Sequence, residues 1–244
     1  MRRMTLTKAL CASSAAAADP TDTLLVADGT RLLLRSIGSD DRDQVAALFA
    51  RLSPESRYRR FLSPKPEVTP QEIERLTNVD HTNHEAIGAV DPRDGSIVGV
   101  GRYVHYSDRP ITADLAVEVA DELQNMGIGT TLARCLVHRA RANGFALLTA
   151  TTLWENRPAR ALLRRLEFRA RASHDGVIEL ELELSPPNGQ PAEMYGDMAT
   201  SEPRPAPNAG PLAEAPAYPP LCAHGMNSLT DQGYDLALAR LHRG

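Results

Sequence analysis

Gln124-Asn125-Met126-Gly127-Ile128-Gly129 decides the fold through what flanks it. Before it, Thr112 to Ala120 reads as a strand. Leu115, Val117 and Val119 share one face, and Asp114, Ala116 and Glu118 the other. After it, Thr130 to Ala140 reads as a helix. A strand, a short loop with two close glycines and a helix N-terminus together make an anion cradle. The first backbone N–H groups of a helix have no acceptor inside it, and the macrodipole adds partial positive charge there. A phosphate or pyrophosphate suits such a site, and glycines let it approach the backbone.

The two commonest phosphate loops have a different grammar. A dinucleotide fingerprint needs a third glycine, but position 132 is leucine. A P-loop needs a Gly-Lys pair, and no lysine is present in this stretch. Gln-x-x-Gly-x-Gly opening a helix instead resembles the acyl-CoA pyrophosphate loop of the GNAT N-acetyltransferases.

Two further blocks extend the resemblance. Ala146 to Leu153 is a β-like run followed by Trp154-Glu155-Asn156-Arg157-Pro158-Ala159-Arg160-Ala161-Leu162-Leu163. GNAT proteins carry an asparagine at a helix start here, and Asn156 suits the N-cap by its own chemistry, with Pro158 tolerated in the first turn. That helix ends at Leu166-Glu167-Phe168, where the family usually has Gly-Phe. The third block is Leu52-Ser53-Pro54-Glu55-Ser56-Arg57-Tyr58-Arg59-Arg60-Phe61 with Val79-Asp80-His81-Thr82-Asn83-His84-Glu85-Ala86. It resembles the GNAT domain of bacterial Pat-type protein lysine acetyltransferases. The resemblance covers about residues 28–184. It implies an α/β (α+β) GNAT fold, with a mixed, mostly antiparallel central sheet flanked by helices.

The resemblance also implies a site. The loop Gln124, Asn125, Met126, Gly127, Ile128, Gly129 and Thr130, together with Asn156, would hold acetyl-CoA as co-substrate. Backbone groups near Val117 and Val119 would hold the pantetheine arm and polarise the thioester carbonyl, acting on charge that develops in the transition state. An ammonium is not a nucleophile, so a base must take its proton. In the Pat-type enzymes a glutamate two residues before an alanine on this strand is the base. Asp114 matches that position with one methylene less, and Glu118 is the second candidate on the same face. A solvated strand face is the bland alternative for both. The tyrosine that many GNAT enzymes use as general acid is replaced by Leu163.

Other clusters carry less. His81 and His84 lack a third ligand nearby and read as structural, so no metal is expected. Arg57, Arg59 and Arg60 read as a solvated helix face, and His105 with Tyr106 as candidates for the acceptor side.

Composition bounds the rest. The chain has 244 residues, 42% hydrophobic and 24% charged, with net charge -4 and pI near 6.0, so nothing points to nucleic acid. Cys11, Cys135 and Cys222 are odd in number and far apart, and read as reduced thiols. No apolar run has membrane-spanning length, and cytoplasm is the expected compartment. Residues 1–27 read as a flexible tail and 28–184 as the acetyltransferase domain. Residues 185–244 read as a Pro-rich disordered tail with a short terminal helix near Tyr234 to Leu241. Ser185 to Pro220 holds 10 of the 18 prolines.

The function expected is acetyl transfer to an amine, with a protein lysine as acceptor. Two alternatives stay open at this point: a small-molecule amine acetyltransferase, and a non-catalytic acyl-CoA-binding module.

Overall fold

The strand before the glycine loop lies at the centre of an eight-stranded sheet. The computed structural model describes residues 22–26, 29–105, 108–109 and 111–184. The strands are β1 (Asp22–Leu25), β2 (Arg31–Ser36), β3 (His84–Val90), β4 (Ile97–His105), β5 (Thr112–Val119), β6 (Leu147–Leu153), β7 (Arg169–His174) and β8 (Val177–Glu183). Their order across the sheet is β1-β2-β3-β4-β5-β6-β8-β7. Every neighbouring pair is antiparallel except β5–β6. That parallel pair needs a crossover, which is α4 (Ile128–Ala142). The fold is the GNAT fold, the mixed and mostly antiparallel sheet expected.

Two apolar clusters cover the two faces. On one, Leu132, Leu136 and Ala140 of α4 pack on Leu115, Tyr103 and Leu148. The approach is close: a Cβ at Gly101 of β4 would meet Leu136 Cδ1 at 2.8 Å. On the other face lie α1 (Arg42–Arg51), α2 (Pro54–Phe61) and α3 (Pro70–Thr77). Their Val45, Leu48, Phe61, Ile73 and Leu76 close over Val100 and Ala86. The starts of α2 and α3 follow from side-chain chemistry. Ser53 Oγ accepts from Ser56 N, and Thr69 with Glu72 forms a capping box, each with proline in the first turn.

The sheet begins earlier than the sequence suggested. β1 falls inside the segment read as a tail, pairing Leu24 with Leu32 and burying Leu24. Four residues without clear alternation carry too little local signal to be seen, and their partner strand supplies the reason they order. The proline-rich segment and the expected helix near Tyr234 lie outside the described residues.

Candidate active site

β5 and β6 pair only at Thr112↔Leu147, Ala113↔Leu148 and Asp114↔Thr149. Beyond that bridge the two strands part. The fork opens into a cleft of about 420 Å³, with β5 from Leu115 to Val119 on one wall and β6 from Ala150 to Thr152 on the other. The glycine loop and the starts of α4 and α5 (Arg157–Arg165) line its sides, and Ser56, Arg59 and Arg60 of α2 reach it from the far face.

The loop has the geometry of an anion cradle. Asn125 and Gly127 are left-handed, at φ 63° and 91°. Gly127 is the N-cap of α4, and Thr131 N is the first amide to return to its carbonyl, at 3.0 Å. The amides of Ile128, Gly129 and Thr130 precede it in the first turn and so have no intrahelical acceptor. Gly129 leaves little room: a Cβ there would stand 3.2 Å from Leu162 Cδ1 and 3.5 Å from Val117 Cγ1.

The expected loop residues divide by what they do. Val117, Val119, Gln124, Asn125, Gly127, Gly129, Thr130 and Asn156 line the cleft. Met126 and Ile128 do not: Ile128 is buried in the core, and Met126 packs against it. Ile128 can serve a ligand only through its backbone. The Gln124 amide is spent inside the protein, 2.8 Å from Asp121 Oδ1 and 3.2 Å from the Val119 carbonyl. Asn156 is the N-cap of α5, its Oδ1 accepting from Ala159 N at 3.2 Å.

Asp121 ties this loop to α2. Its carboxylate accepts from Ser53 N at 2.8 Å and from Ser56 Oγ at 2.5 Å, and Arg51 pairs with Glu122 beside it. Burial pushes the Asp121 carboxyl up, but the hydrogen bonds from Ser56 and Ser53 outweigh it and hold the group below its ordinary range.

The two candidate carboxylates share a face of β5, as their spacing requires, but not an environment. Asp114 is 3% exposed and forms the last β5–β6 bridge with Thr149, whose Oγ1 donates to its Oδ1 at 3.0 Å. It therefore sits at the apex of the fork, one residue before the cleft wall begins. Glu118 lines the cleft, yet both its oxygens are occupied. Arg60 Nε donates to Oε2 at 2.8 Å and Arg102 Nη2 to Oε1 at 3.1 Å. Arg102 is fully buried and also donates to the Leu76 carbonyl at 2.8 Å.

This ion cluster corrects the reading of the α2 arginines as one solvated face. Arg60 is buried against Glu118, whereas Arg59 pairs with Glu55 at 2.5 Å. The sequence held a weak hint: a glutamate on a central strand needs a cation, and an arginine at 102 on the adjacent strand shares its face. Burial first, and then the Arg102 charge, push His84 down to about 3, so it is neutral. His81 Nδ1 lies 2.9 Å from Glu85 Oε1. His105 turns away from the cleft, its ring against Phe145, and Tyr106 lies outside the described residues.

Known proteins share this architecture. The sequence model of the Acetyltransferase (GNAT) family matches residues 50–168. The acetyltransferase PA5475 of Pseudomonas aeruginosa is 32% identical over 155 residues, covering 63% of this chain and 83% of that protein. The acetyltransferase Pat of Mycolicibacterium smegmatis is 27% identical over 168 residues, and the chain spans half of its length. The crystal structure of the GNAT domain of S. lividans PAT superposes with a TM-score of 0.63 at 24% identity, covering 67% of this chain and 97% of that one, a likeness of fold. The chain belongs to the GNAT acetyltransferase family and is an N-acetyltransferase. Enzymes of this family use acetyl-CoA. Among the described residues, no helix is long and apolar enough to cross a membrane.

Proposed function

We propose that the fork between β5 and β6 receives the acyl-pantetheine arm of acetyl-CoA, and that the acetyl group passes to the side-chain amine of a protein lysine. The observation that carries this is the conjunction at one cleft. Unpartnered first-turn amides of α4 stand at its mouth, and a buried carboxylate stands at its apex. In this reading the amides of Ile128, Gly129 and Thr130 bind the pyrophosphate, with Gly127, Asn125 and Gln124 shaping the loop. Asn156 caps α5 at the same wall. Backbone groups of β5 near Val117 and Val119 pair with β4 on one side and lie beyond the last β5–β6 bridge, where β6 no longer pairs with them. They can therefore align the arm and aim at the thioester carbonyl.

Asp114 takes the proton from the ammonium, directly or through one water, and leaves the free amine to attack. Glu118 holds Arg60 and Arg102, and through Arg60 fixes α2 as the far wall. Its two oxygens are committed, so it positions and does not abstract.

The lysine acceptor is supported by the Pat-type block at Leu52 to Phe61. This block forms α2 and supplies Ser56, Arg59 and Arg60 to the cleft. We place the reaction in the cytoplasm, consistent with Cys135 being buried and in no disulfide. The deciding experiment is thiol release from acetyl-CoA, measured alone, with a lysine-containing protein and with small amines. Release with the protein alone fits the reading. Release with small amines alone replaces the acceptor. Binding of acetyl-CoA without release in any arm makes the protein a binding module.

A further inference from the structure

We propose that Thr152 supplies the hydrogen bond that stabilises the departing sulfur when the thioester is cleaved, an inference that rests on the reading of the cleft as an acetyl-CoA site. Thr152 lies on β6, is 3% exposed and lines the cleft. Its Oγ1 is buried and has no hydrogen-bond partner. Buried hydroxyls are nearly always satisfied, because an unmet one keeps its desolvation cost. Another threonine of the strand shows the ordinary state: Thr149 Oγ1 donates to Asp114. A hydroxyl left unmet at the wall of a ligand cleft is explained if the ligand completes it.

Its place in the fork says which part of the ligand. The last β5–β6 bridge joins Asp114 to Thr149. Three residues further along both parallel strands, Thr152 stands level with Val117. Asp114 and Thr149 share one face, so Val117 and Thr152 share the opposite one. The carboxylate proposed to deprotonate the amine and the hydroxyl of Thr152 thus approach the cleft from opposite faces of the sheet. Attack and departure at a carbonyl need that arrangement, with the base on the amine side and a donor on the sulfur side. Ala150, Leu162 and Leu163, which also line the cleft, carry no donor, and the hydroxyl of the adjacent Thr151 lies on the opposite face of β6.

The step balances without a further reactant. The amine nitrogen bonds to the carbonyl carbon, the tetrahedral adduct passes the second nitrogen proton to water, and the C–S bond breaks with its electron pair on sulfur, leaving a neutral amide. Asp114 holds the proton taken from the ammonium. Thr152 keeps its own proton and shares it with the thiolate as a charge-assisted hydrogen bond, since a thiol pKa of about 8.5 lies far below that of an alcohol. Water reprotonates the sulfur as CoA leaves.

The test removes the hydroxyl without changing shape, by Thr152→Val. A structural hydroxyl and a functional one then behave oppositely. The free valine variant should melt at the parent temperature or above it, because a buried unmet polar atom has gone. Its kcat should fall about tenfold, with the KM for acetyl-CoA within twofold of the parent, and Thr152→Ser should restore turnover. A second readout needs no acceptor: the thiol of bound CoA, titrated by ultraviolet difference absorbance of the thiolate. It should ionise at a lower pH in the parent than in Thr152→Val, by roughly one pH unit, with Thr152→Ser close to the parent. If the valine variant does not fold, Thr152→Ala carries the same comparison. CoA bound to both proteins with one thiol pKa overturns the role of Thr152 and leaves the acetyl-CoA site standing. CoA that binds neither protein overturns the site and the inference together.

Discussion

Asp114 and Glu118 are four residues apart on one strand face, and their neighbours assign them different work. Asp114 has a threonine hydroxyl on one oxygen and stands at the apex of the fork. Glu118 has a guanidinium on each oxygen. Neutral isosteres should therefore separate them. Asp114→Asn should lower turnover roughly a hundredfold while acetyl-CoA affinity measured by calorimetry hardly changes, and Asp114→Glu should retain activity. Glu118→Gln leaves Arg60 and Arg102 buried beside a neutral amide. It should cost about 3–5 kcal/mol of stability in urea unfolding, because breaking a buried pair strands its partners. An Asp114→Asn variant that turns over like the parent would return the carboxylate to the status of a structural strand residue.

At the level of elements, the two helices that meet the cleft are set by their ends. The α4 start is open, which gives a test that spares the fold. Thr130 is the third residue of the helix, where an acid favours the helix through the macrodipole and the free amides. Thr130→Glu should keep or slightly raise the melting temperature. The same charge stands where a pyrophosphate is proposed to bind, so acetyl-CoA affinity should fall at least tenfold by calorimetry. Unchanged affinity would show that the cradle is only a turn.

The α5 end answers a question posed by Glu167, the residue found where the family usually has glycine. Glu167 is left-handed at φ 69°, Phe168 N donates to the Leu163 carbonyl at 3.1 Å, and Glu167 N donates to Arg164 O at 3.1 Å. This is a Schellman exit kept by a side chain that the conformation disfavours. Burial of Phe168 and Leu163 holds it closed. Glu167→Gly should raise stability by up to about 1 kcal/mol in urea unfolding, with activity unaffected, since the strain of a Cβ at positive φ is relieved.

For the whole molecule, two histidines at the start of β3, His81 just before it and His84 its first residue, set a pH optimum. The hydrogen bond to Glu85 raises His81 above 6.5, with burial opposing and the Glu85 charge assisting. The folded protein holds that proton more tightly than the unfolded chain. The stabilisation is complete below about pH 6.5 and is lost as pH rises through the folded value. His84 runs the other way. Burial and Arg102 bring it to about 3, so between pH 6.5 and 3 the unfolded chain binds a proton that the folded protein does not. Stability therefore falls as pH drops below 6.5, and the carboxyls held low, such as Asp41 and Asp80, extend the loss further into acid. The melting temperature should peak near pH 6.5. His81→Gln should flatten the alkaline limb, and His84→Leu the acid limb. A profile that is level from pH 5 to 8 in the parent contradicts both assignments.

Much of the architecture was legible in the chain itself, because the signals are local. Alternation along Thr112 to Val119, glycines before α4, and the Ser53, Thr69 and Asn156 caps each act within a few residues. A period or a cap is written where it operates. The shared face of Asp114 and Glu118 follows from the same two-residue repeat. What tertiary structure alone decided depends on residues far apart in sequence. Leu24 became a strand residue because Leu32 lay beside it. Arg60 and Arg102 met Glu118 from 58 and 16 residues away, and turned a charged face into a buried cluster. Gln124 turned inward to Asp121 and α2. The parting of β5 from β6 beyond Asp114 is likewise a property of two strands, and it is what leaves a cleft where a sheet would otherwise close. No single segment encodes it, because strand pairing is an energy of two chains in register and not of either one.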